Sequence, residues 1–481
     1  MAALWVVCAA VVIAPTFAPF GSIAPFDQER MLQLGACGIA LALSASNAGA
    51  TRRVTSVISG MSPLLRGALA GAFAFGSLSA ILGPHPRASF VEVAELAIVV
   101  LSVFAVAGAV REDTPRAIDL IAWALAAGAT VAVVDLTIRI AALESAGTSQ
   151  IRPTALFEHF QNPRFFAQWM TWVLPLLAIP RARAARAGSK LLEAVVWITW
   201  ATCWTFAFLA AGRGTFAAQG VATLIVLAVF RRNALPWART YAAAALAGIV
   251  VYFASALLLP HTWSELSQVV ARLSSVSDSG RFEIWLTTMR MIVDAPLLGA
   301  GPRALSYDLT LPVAHPHNSV LQWASEWGVP AMLLAVCSLL YALAGWTIRR
   351  RTELSRTSSD TVIVVSLTTA LVGAALHSLL CGVLVMPISQ LMLVVTAGCA
   401  LGIDSVPRSR AIAPGWWASV VAFTMLVWVV ASRVEIERVI AWTVPPNIQE
   451  LNLRPRIWHD ETSVLGVLGA TQPARRPPRR Q

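Results

Sequence analysis

Apolar stretches alternate with short polar breaks along most of the chain. A helix needs about 20 consecutive apolar residues to cross the hydrocarbon core of a membrane. The pattern therefore predicts an all-α polytopic membrane protein with about 12 to 13 transmembrane helices and a helical loop outside the membrane. The predicted spans are 2–20, 31–49, 62–83, 89–110, 117–142, 163–180, 191–211, 214–230, 240–260, 326–347, 361–384, 388–403 and 413–432.

Composition supports one integral bundle rather than several soluble domains. Of the 481 residues, 57% are hydrophobic and only 13% are charged, and the mean hydropathy is +0.68. Soluble domains are about one quarter charged, because water must solvate their surfaces. We predict a transmembrane bundle over residues 1–432, with a loop at 261–325, and a C-terminal extension at 433–481 whose last part is disordered. The apolar start has no basic n-region, so we expect it to be a retained first span.

Basic residues fall on alternate breaks, which predicts the orientation. Arginine and lysine are enriched in cytoplasmic loops. We therefore expect a cytoplasmic N-terminus, with the loop at 261–325 on the opposite side. The net charge of +11 then reflects headgroup contacts rather than nucleic-acid binding. The basic breaks contain Arg52, Arg53; Arg111, Arg116; Arg181, Arg183, Arg186, Lys190; Arg231, Arg232, Arg239; Arg349, Arg350, Arg351, Arg356; and Arg408, Arg410.

Ionisable residues inside the predicted spans cluster toward the non-cytoplasmic side. Such residues are costly in lipid and usually line a cavity or a pathway. Their one-sided distribution indicates a cavity that faces outward rather than a channel. We expect Asp135 and Arg139 to pair at i, i+4, and Glu92 and Glu95 to be solvated near a span end. The residues concerned are Glu92, Glu95, Asp135, Arg139, Arg213 and His377.

The loop at 261–325 contains two apolar patterns of helical period. The first is formed by Leu266, Val269, Val270 and Leu273, and the second by Phe282, Trp285, Leu286 and Met289. A helix with such a face lies in the plane of the headgroups, and we expect Trp285 to act as its membrane anchor.

Two histidines follow at the start of the next span, in the segment His315-Pro316-His317-Asn318. Asn318 or Ser319 is expected to cap the following helix, and Gln322 and Glu326 share one face of it at i, i+4. A histidine pair at a membrane boundary is compatible with ordinary hydrogen bonding, with acid–base chemistry, or with half of a metal site. We do not expect a metal, because no third ligand follows at a suitable spacing. The cysteines form no CxxC pair, and neither disulfides nor metal clusters are expected.

Taken together, these segments resemble the O-antigen ligase and Wzy-type polymerase superfamily. The resemblance covers about residues 155–400, and His315-Pro316-His317-Asn318 is its most specific part. The other matching segments are Phe160–Phe166, Ala210–Thr215, Gly280-Arg281, Trp285, Ala295–Pro302, Leu321, Glu326–Pro330, Leu376–Leu379 and Pro387.

The resemblance implies a GT-C-like glycosyltransferase of the bacterial inner membrane whose active site faces the periplasm. Its donor would be a glycan on undecaprenyl diphosphate, and it would need no cofactor or metal. By the same resemblance, His317 would be the catalytic base, while Arg213 and Arg281 would bind the donor diphosphate. Arg164 is an additional phosphate ligand or a headgroup anchor. Supporting roles fall to His315, Asn318, Gln322, Glu326 and His377, and Glu326 either orients His317 or bonds to the backbone near Gly328.

Several acceptors remain open at this point. A ligase would transfer the glycan to lipid A core, a polymerase to a second carrier-linked repeat, and an oligosaccharyltransferase to a protein hydroxyl. We expect no large soluble C-terminal domain, which disfavours the protein-modifying enzymes, and among the three acceptors we favour that of the ligase. A lipid-glycan transporter without chemistry is the alternative from another class, but the two halves lack the matching broken helices typical of transporters.

Overall fold

The computed structural model describes residues 1–19, 25–146, 156–258, 280–307, 313–354, 361–404 and 414–440. This part of the chain is helical and contains no strand. The first predicted amphipathic pattern, Leu266 to Leu273, lies outside the described residues, as does the tail beyond residue 440. The helices are α1 Ala2–Ile13, α2 Pro25–Ser46, α3 Ala48–Gly60, α4 Pro63–Leu82, α5 Pro86–Val110, α6 Thr114–Ser145, α7 Pro163–Leu176, α8 Ala178–Arg186, α9 Lys190–Leu209, α10 Arg213–Phe230, α11 Leu235–Leu258, α12 Arg281–Asp294, α13 Ser319–Glu326, α14 Val329–Leu354, α15 Thr361–His377, α16 Pro387–Ile403 and α17 Pro414–Ile440.

A helix coincides with each of the predicted spans, which confirms an all-α polytopic membrane protein. Among the described residues, 8 helices are long and apolar enough to cross a membrane, or 9 if α2 and α3 form one bent span. Three further apolar helices are shorter, namely α1 with its following turn, α15 and α16. Most residues of α15 and α16 are buried by neighbouring helices, so protein rather than lipid surrounds much of their length.

The first connection differs from its prediction. Helix α2 begins at Pro25 instead of residue 31, and its charged first turns are buried. Helix α3 follows at an angle of 103° to α2 and carries Arg52 and Arg53. The residues that we assigned to polar breaks are therefore helical on both sides of the predicted span.

Helix α5 forms the centre of one half of the bundle. In its apolar window 78% of the residues are buried, compared with 22% for α4 and 28% for α17. It packs against α2, α3, α4, α16 and α17. In the other half α15 packs against α7 and α10. All residues of α7 are buried except Arg164.

Ion pairs show that several basic breaks share one end of the bundle. The N-terminal amine lies 2.5 Å from Glu112, and Arg53 lies 2.6 Å from the same carboxylate. Arg349 lies 2.5 Å from Asp404, whose carbonyl also accepts a hydrogen bond from Arg111. Arg183, in the break before α9, lies 3.0 Å from Asp119 at the start of α6, and α9 leads from that break to Arg213 at the opposite end.

Candidate active site

The His315–Asn318 segment is fixed by hydrogen bonds within itself. The backbone N–H of His317 donates to Nδ1 of His315 at 3.1 Å, and the two rings meet edge to face with centroids 4.5 Å apart. Both histidines are buried. His317 has a left-handed backbone with φ of 55°, a conformation that side chains other than glycine rarely adopt and that often marks functional sites. His315 thus supports the conformation of its neighbour.

Asn318 begins helix α13, as one of the two expected caps. Its side-chain oxygen accepts hydrogen bonds from the N–H groups of Val320 and Leu321 at 3.0 and 3.1 Å. This satisfies two N–H groups of the first helical turn, which have no partner inside the helix. The cap and the His315 contact together define where the chain turns at His317.

Helix α12 packs against the His315–Asn318 segment through Trp285. The indole N–H of Trp285 donates to the carbonyl of Pro316 at 2.9 Å, so this side chain contacts the histidine segment, and its role as a membrane anchor stays a prediction. The apolar face of α12 that remains exposed is formed by Phe282, Leu286 and Met289. Arg281 lies one turn before Trp285, on the same side of the helix. Its Nε atom is buried and makes no hydrogen bond with the described residues.

His377 lies where three helices meet. It is the last residue of α15, and its Nδ1 atom lies 2.8 Å from Thr171 Oγ1 on α7. On the other side, a Cβ atom at Gly214 would lie only 2.7 Å from His377 Nε2. Gly214 follows Arg213, the first residue of α10. The imidazole of His377 therefore packs directly against the start of the helix that carries Arg213.

Two further contacts join these parts. The N–H of Ser319 donates to the carbonyl of Ser378 at 2.9 Å, which ties the histidine segment to the turn after His377. Helix α12, which carries Arg281, is joined to the same histidine segment by the hydrogen bond between Trp285 and Pro316. The segments that carry Arg213, Arg281 and His317 thus converge around His377.

Arg164 lies near this cluster but is exposed to the surroundings. It occupies the first turn of α7, where its N–H donates to the side chain of Asn162 at 2.9 Å. One turn later, Ala167 packs so closely on Gly212 that a Cβ there would lie 2.6 Å from the Ala167 methyl group. The starts of α7 and α10, which carry Arg164 and Arg213, are therefore in contact at Ala167 and Gly212.

Glu326 serves a different part of the fold. Its carboxylate accepts a hydrogen bond from the N–H of Leu305 at 3.4 Å, and its carbonyl accepts from Gly301 and from Ser79. The carboxylate thus contacts the backbone at Leu305 and not the break near Gly328, and a role of Glu326 toward His317 stays a prediction. Gln322 is buried on the same helix, and its carbonyl accepts from Ser325.

The segment at 295–302 and the break at 326–329 form a tight backbone junction. The N–H of Val329 donates to Pro296 at 2.8 Å, and the N–H of Ala300 donates to Ser325 at 2.8 Å. A Cβ at Gly299 would lie 2.5 Å from the carbonyl carbon of Glu326, and a Cβ at Gly328 would lie 2.2 Å from the carbonyl oxygen of Leu297. These glycines are therefore required by contact between two backbones.

A buried ionic cluster beside the site was not predicted. Arg30 of α2 forms an ion pair with Glu95 of α5 and hydrogen bonds with Gln33 and Gln390. It also donates to the carbonyl of Val385 at 2.5 Å, in the connection that follows His377. The expectation that Glu95 is solvated is wrong, because only 4% of it is exposed. Asp27 and Glu29 are buried on the same helix as Arg30.

Asp135 and Arg139 pair as predicted, at 3.0 Å. The pair is part of a larger network, because Arg139 also contacts Glu158 at 2.8 Å and His159 lies 3.2 Å from Asp135. This network fastens the short turn at Glu158–Phe160 to α6. This turn is followed along the chain by Asn162 and Arg164.

Polar residues of α7 were also missed. Gln168 is fully buried and its amide lies 2.9 Å from the thiol of Cys381, while its Oε1 atom has no partner among the described residues. Thr215 donates to the carbonyl of Ala167 at 2.7 Å. The sequence feature that could have indicated them is the spacing of two polar residues, Gln168 and Thr171, at i, i+3 within an apolar span. The six cysteines are free, as expected, and no group of three metal-binding side chains occurs within the described ranges.

The fold and this cluster define a multi-pass helical membrane protein with histidine and arginine side chains gathered at the helix ends opposite the basic breaks. Residues 198–336 match a family model described as O-Antigen ligase. The match includes Arg213, Arg281 and the His315–Asn318 segment, and it confirms the resemblance to the O-antigen ligase and Wzy superfamily. No curated protein matches the chain.

Proposed function

We propose that this protein is a glycosyltransferase of the bacterial inner membrane that attaches O-antigen to lipid A core. The glycan is transferred as a whole from undecaprenyl diphosphate at the periplasmic face. The observation that carries the proposal is the set of contacts that brings the segments of Arg213, Arg281 and His317 together around His377, within or beside the segment that matches the ligase family.

In this proposal the arginines bind the donor diphosphate. A guanidinium remains charged when it is partly desolvated, and its planar donors match phosphate oxygens. Arg281 suits this role because its Nε atom has no hydrogen bond in the described structure. Arg164, exposed at the neighbouring helix start, would extend the same binding surface. Charge that develops on the leaving diphosphate is then stabilised by arginines, so the reaction needs no metal.

His317 is the proposed base, and it removes the proton from the acceptor hydroxyl. The oxygen attacks the anomeric carbon as the bond to diphosphate breaks, which inverts the configuration. The contact with His315 Nδ1 and the Asn318 cap support the orientation of His317. His377 and Gln322 contribute to the walls of the pocket.

Reconstitution of the purified protein in liposomes tests the proposal. Undecaprenyl diphosphate glycan is supplied with lipid A core, with a second carrier-linked repeat, or with a pilin-like protein, and the glycosylated product is identified. We expect product on lipid A core, and loss of it in His317→Ala with normal folding. His85→Ala is the matched control, because His85 stacks on Tyr307 outside the cluster.

The other outcomes separate the alternatives. Product on the second repeat identifies a polymerase, and product on the protein identifies an oligosaccharyltransferase. If the protein moves the lipid-linked glycan across the membrane and His317→Ala has no effect, the protein is a transporter, and the proposed chemistry is wrong.

A further inference from the structure

A long apolar groove lies between α4 and α17. It encloses about 710 Å³, and α5, which packs against both helices, forms its floor. The rims are poorly covered, since Trp416, Phe423 and Ile81 are 44%, 68% and 58% exposed. A groove of this size on a helical bundle is large enough to bind a ligand.

The dimensions of the groove match a lipid chain. Its lining extends along α4 from Arg66 to Ile81, which corresponds to about 22 Å at the helical rise. This is a large part of the roughly 30 Å hydrocarbon core. Besides Arg66, only Ser77 and Thr424 contribute polar side chains to the lining. An extended polypeptide would leave its backbone groups unsatisfied there, whereas a hydrocarbon chain has none to satisfy.

One end of the groove carries a positive charge. Arg66 lines it, and no described residue forms a hydrogen bond or an ion pair with the Arg66 side chain, whose Nε atom is buried. Trp416 lies at the same end, and tryptophan prefers the boundary between lipid and water. Ile58 and Met61 close this end from the bent α2–α3 connection. Our orientation assigns it to the cytoplasmic leaflet.

We propose that this groove is a binding site for an anionic phospholipid of the cytoplasmic leaflet. An acyl chain lies between α4 and α17, and the headgroup phosphate is bound by Arg66. The site is independent of glycan transfer, because neither Arg66 nor the groove helices α4, α5 and α17 carry a residue of the proposed active site.

Native mass spectrometry of the full chain tests this site, with phosphatidylglycerol and phosphatidylcholine of equal chain length as probes. We expect Arg66→Gln to lower phosphatidylglycerol occupancy about fivefold, the effect of one arginine near anionic headgroups, and to lower phosphatidylcholine occupancy less, because the choline ammonium offsets the charge of its phosphate. Ala97→Phe fills the floor of the groove and should remove both lipids. The controls are Arg351→Gln and Ala242→Phe, which replace exposed residues outside the groove and should retain normal binding.

Equal phosphatidylglycerol occupancy in Arg66→Gln and wild type would overturn the proposal. So would a mass showing two chains joined through this face and separated by Ala97→Phe. If Ala97→Phe does not fold, a phosphatidylglycerol with a photoreactive acyl chain replaces it. Labelling of peptides from α4, α5 and α17 supports the site, and labelling elsewhere contradicts it.

Discussion

The guanidinium geometry of Arg281 leads to a prediction at the scale of one residue. If Arg281 binds a phosphate through its planar donors, lysine cannot reproduce the contact, although it keeps the charge. Loss of a hydrogen bond to a charged group costs about 1.5–3 kcal/mol. We therefore expect Arg281→Lys to lower kcat/KM for the donor roughly 10- to 100-fold, measured in liposomes.

Arg290→Lys is the matched control for this measurement, because Arg290 is exposed on the same helix. It should transfer glycan at the wild-type rate. The same comparison applies to Arg213→Lys at the start of α10. Wild-type kinetics in Arg281→Lys would contradict the proposed diphosphate contact.

His85 gives the protein a local pH dependence. Its ring stacks on Tyr307 with centroids 3.9 Å apart. Partial burial, and then the nearby charge of Arg303, lower the pKa of His85 below its usual value. The neutral ring is favoured in the folded protein, so this contribution to stability is complete above the usual histidine pKa. It declines as the pH falls through that value toward the lowered one.

Thermal unfolding of His85→Phe checks this effect, because phenylalanine keeps a stacking ring but cannot be protonated. The midpoint of the variant relative to wild type should rise between about pH 8 and about pH 5. A constant difference between the two proteins over this range would show that His85 does not titrate in this contact.

Residue roles were predictable from the sequence where the partners are close along the chain. The Asn318 cap and the Asp135–Arg139 pair both follow from fixed helical spacings. Thr171 and Gln168 were missed because their partners, His377 and Cys381, are about 200 residues away and on another helix. A single sequence contains no information about that pairing.

At the scale of elements, the junction between 295–302 and 326–329 depends on glycine. Gly328 has φ of +90°, and a Cβ there would lie 2.2 Å from the Leu297 carbonyl. Backbone strain and overpacking each cost about 1–3 kcal/mol. We expect Gly328→Ala to lower the thermal midpoint of the detergent-solubilised protein and to reduce glycan transfer.

Gly220→Ala is the control for this change, because a Cβ at Gly220 meets no atom within 4 Å and α10 favours alanine over glycine. It should be neutral or stabilising. A Gly328→Ala protein as stable as Gly220→Ala would mean that the two segments can separate without cost.

Most helices could be predicted because a long apolar run has few other structures available in a membrane. The start of α2 could not. Its Asp27, Glu29 and Arg30 have the composition of a loop, and the predicted span therefore began only after them, at residue 31. They are helical and buried because Arg30 pairs with Glu95 on α5 and with Gln390 on α16. A buried charge without such partners would be strongly destabilising.

At the scale of the whole molecule, the two ends of the bundle have different chemistry. One end contains the ion pairs of the N-terminus, Arg53 and Arg349 with Glu112 and Asp404. The other contains the Arg30 cluster, His377 and the His315–Asn318 segment. Among the described residues, the proposed catalytic histidine and the arginines proposed to bind the donor belong to the second end. The orientation of the chain therefore decides from which compartment substrate can enter.

Cysteine labelling in right-side-out membranes tests this orientation. Cys337 is the one exposed native cysteine, so Cys337→Ser provides a background with buried thiols. In it, Glu283→Cys on the exposed part of α12 should react with a maleimide that cannot cross membranes. Ala187→Cys, exposed after α8, should react only after the membrane is opened, because positive residues are retained in the cytoplasm. The reverse labelling would put the His317 cluster in the cytoplasm, and a donor carried in the outer leaflet could not reach it.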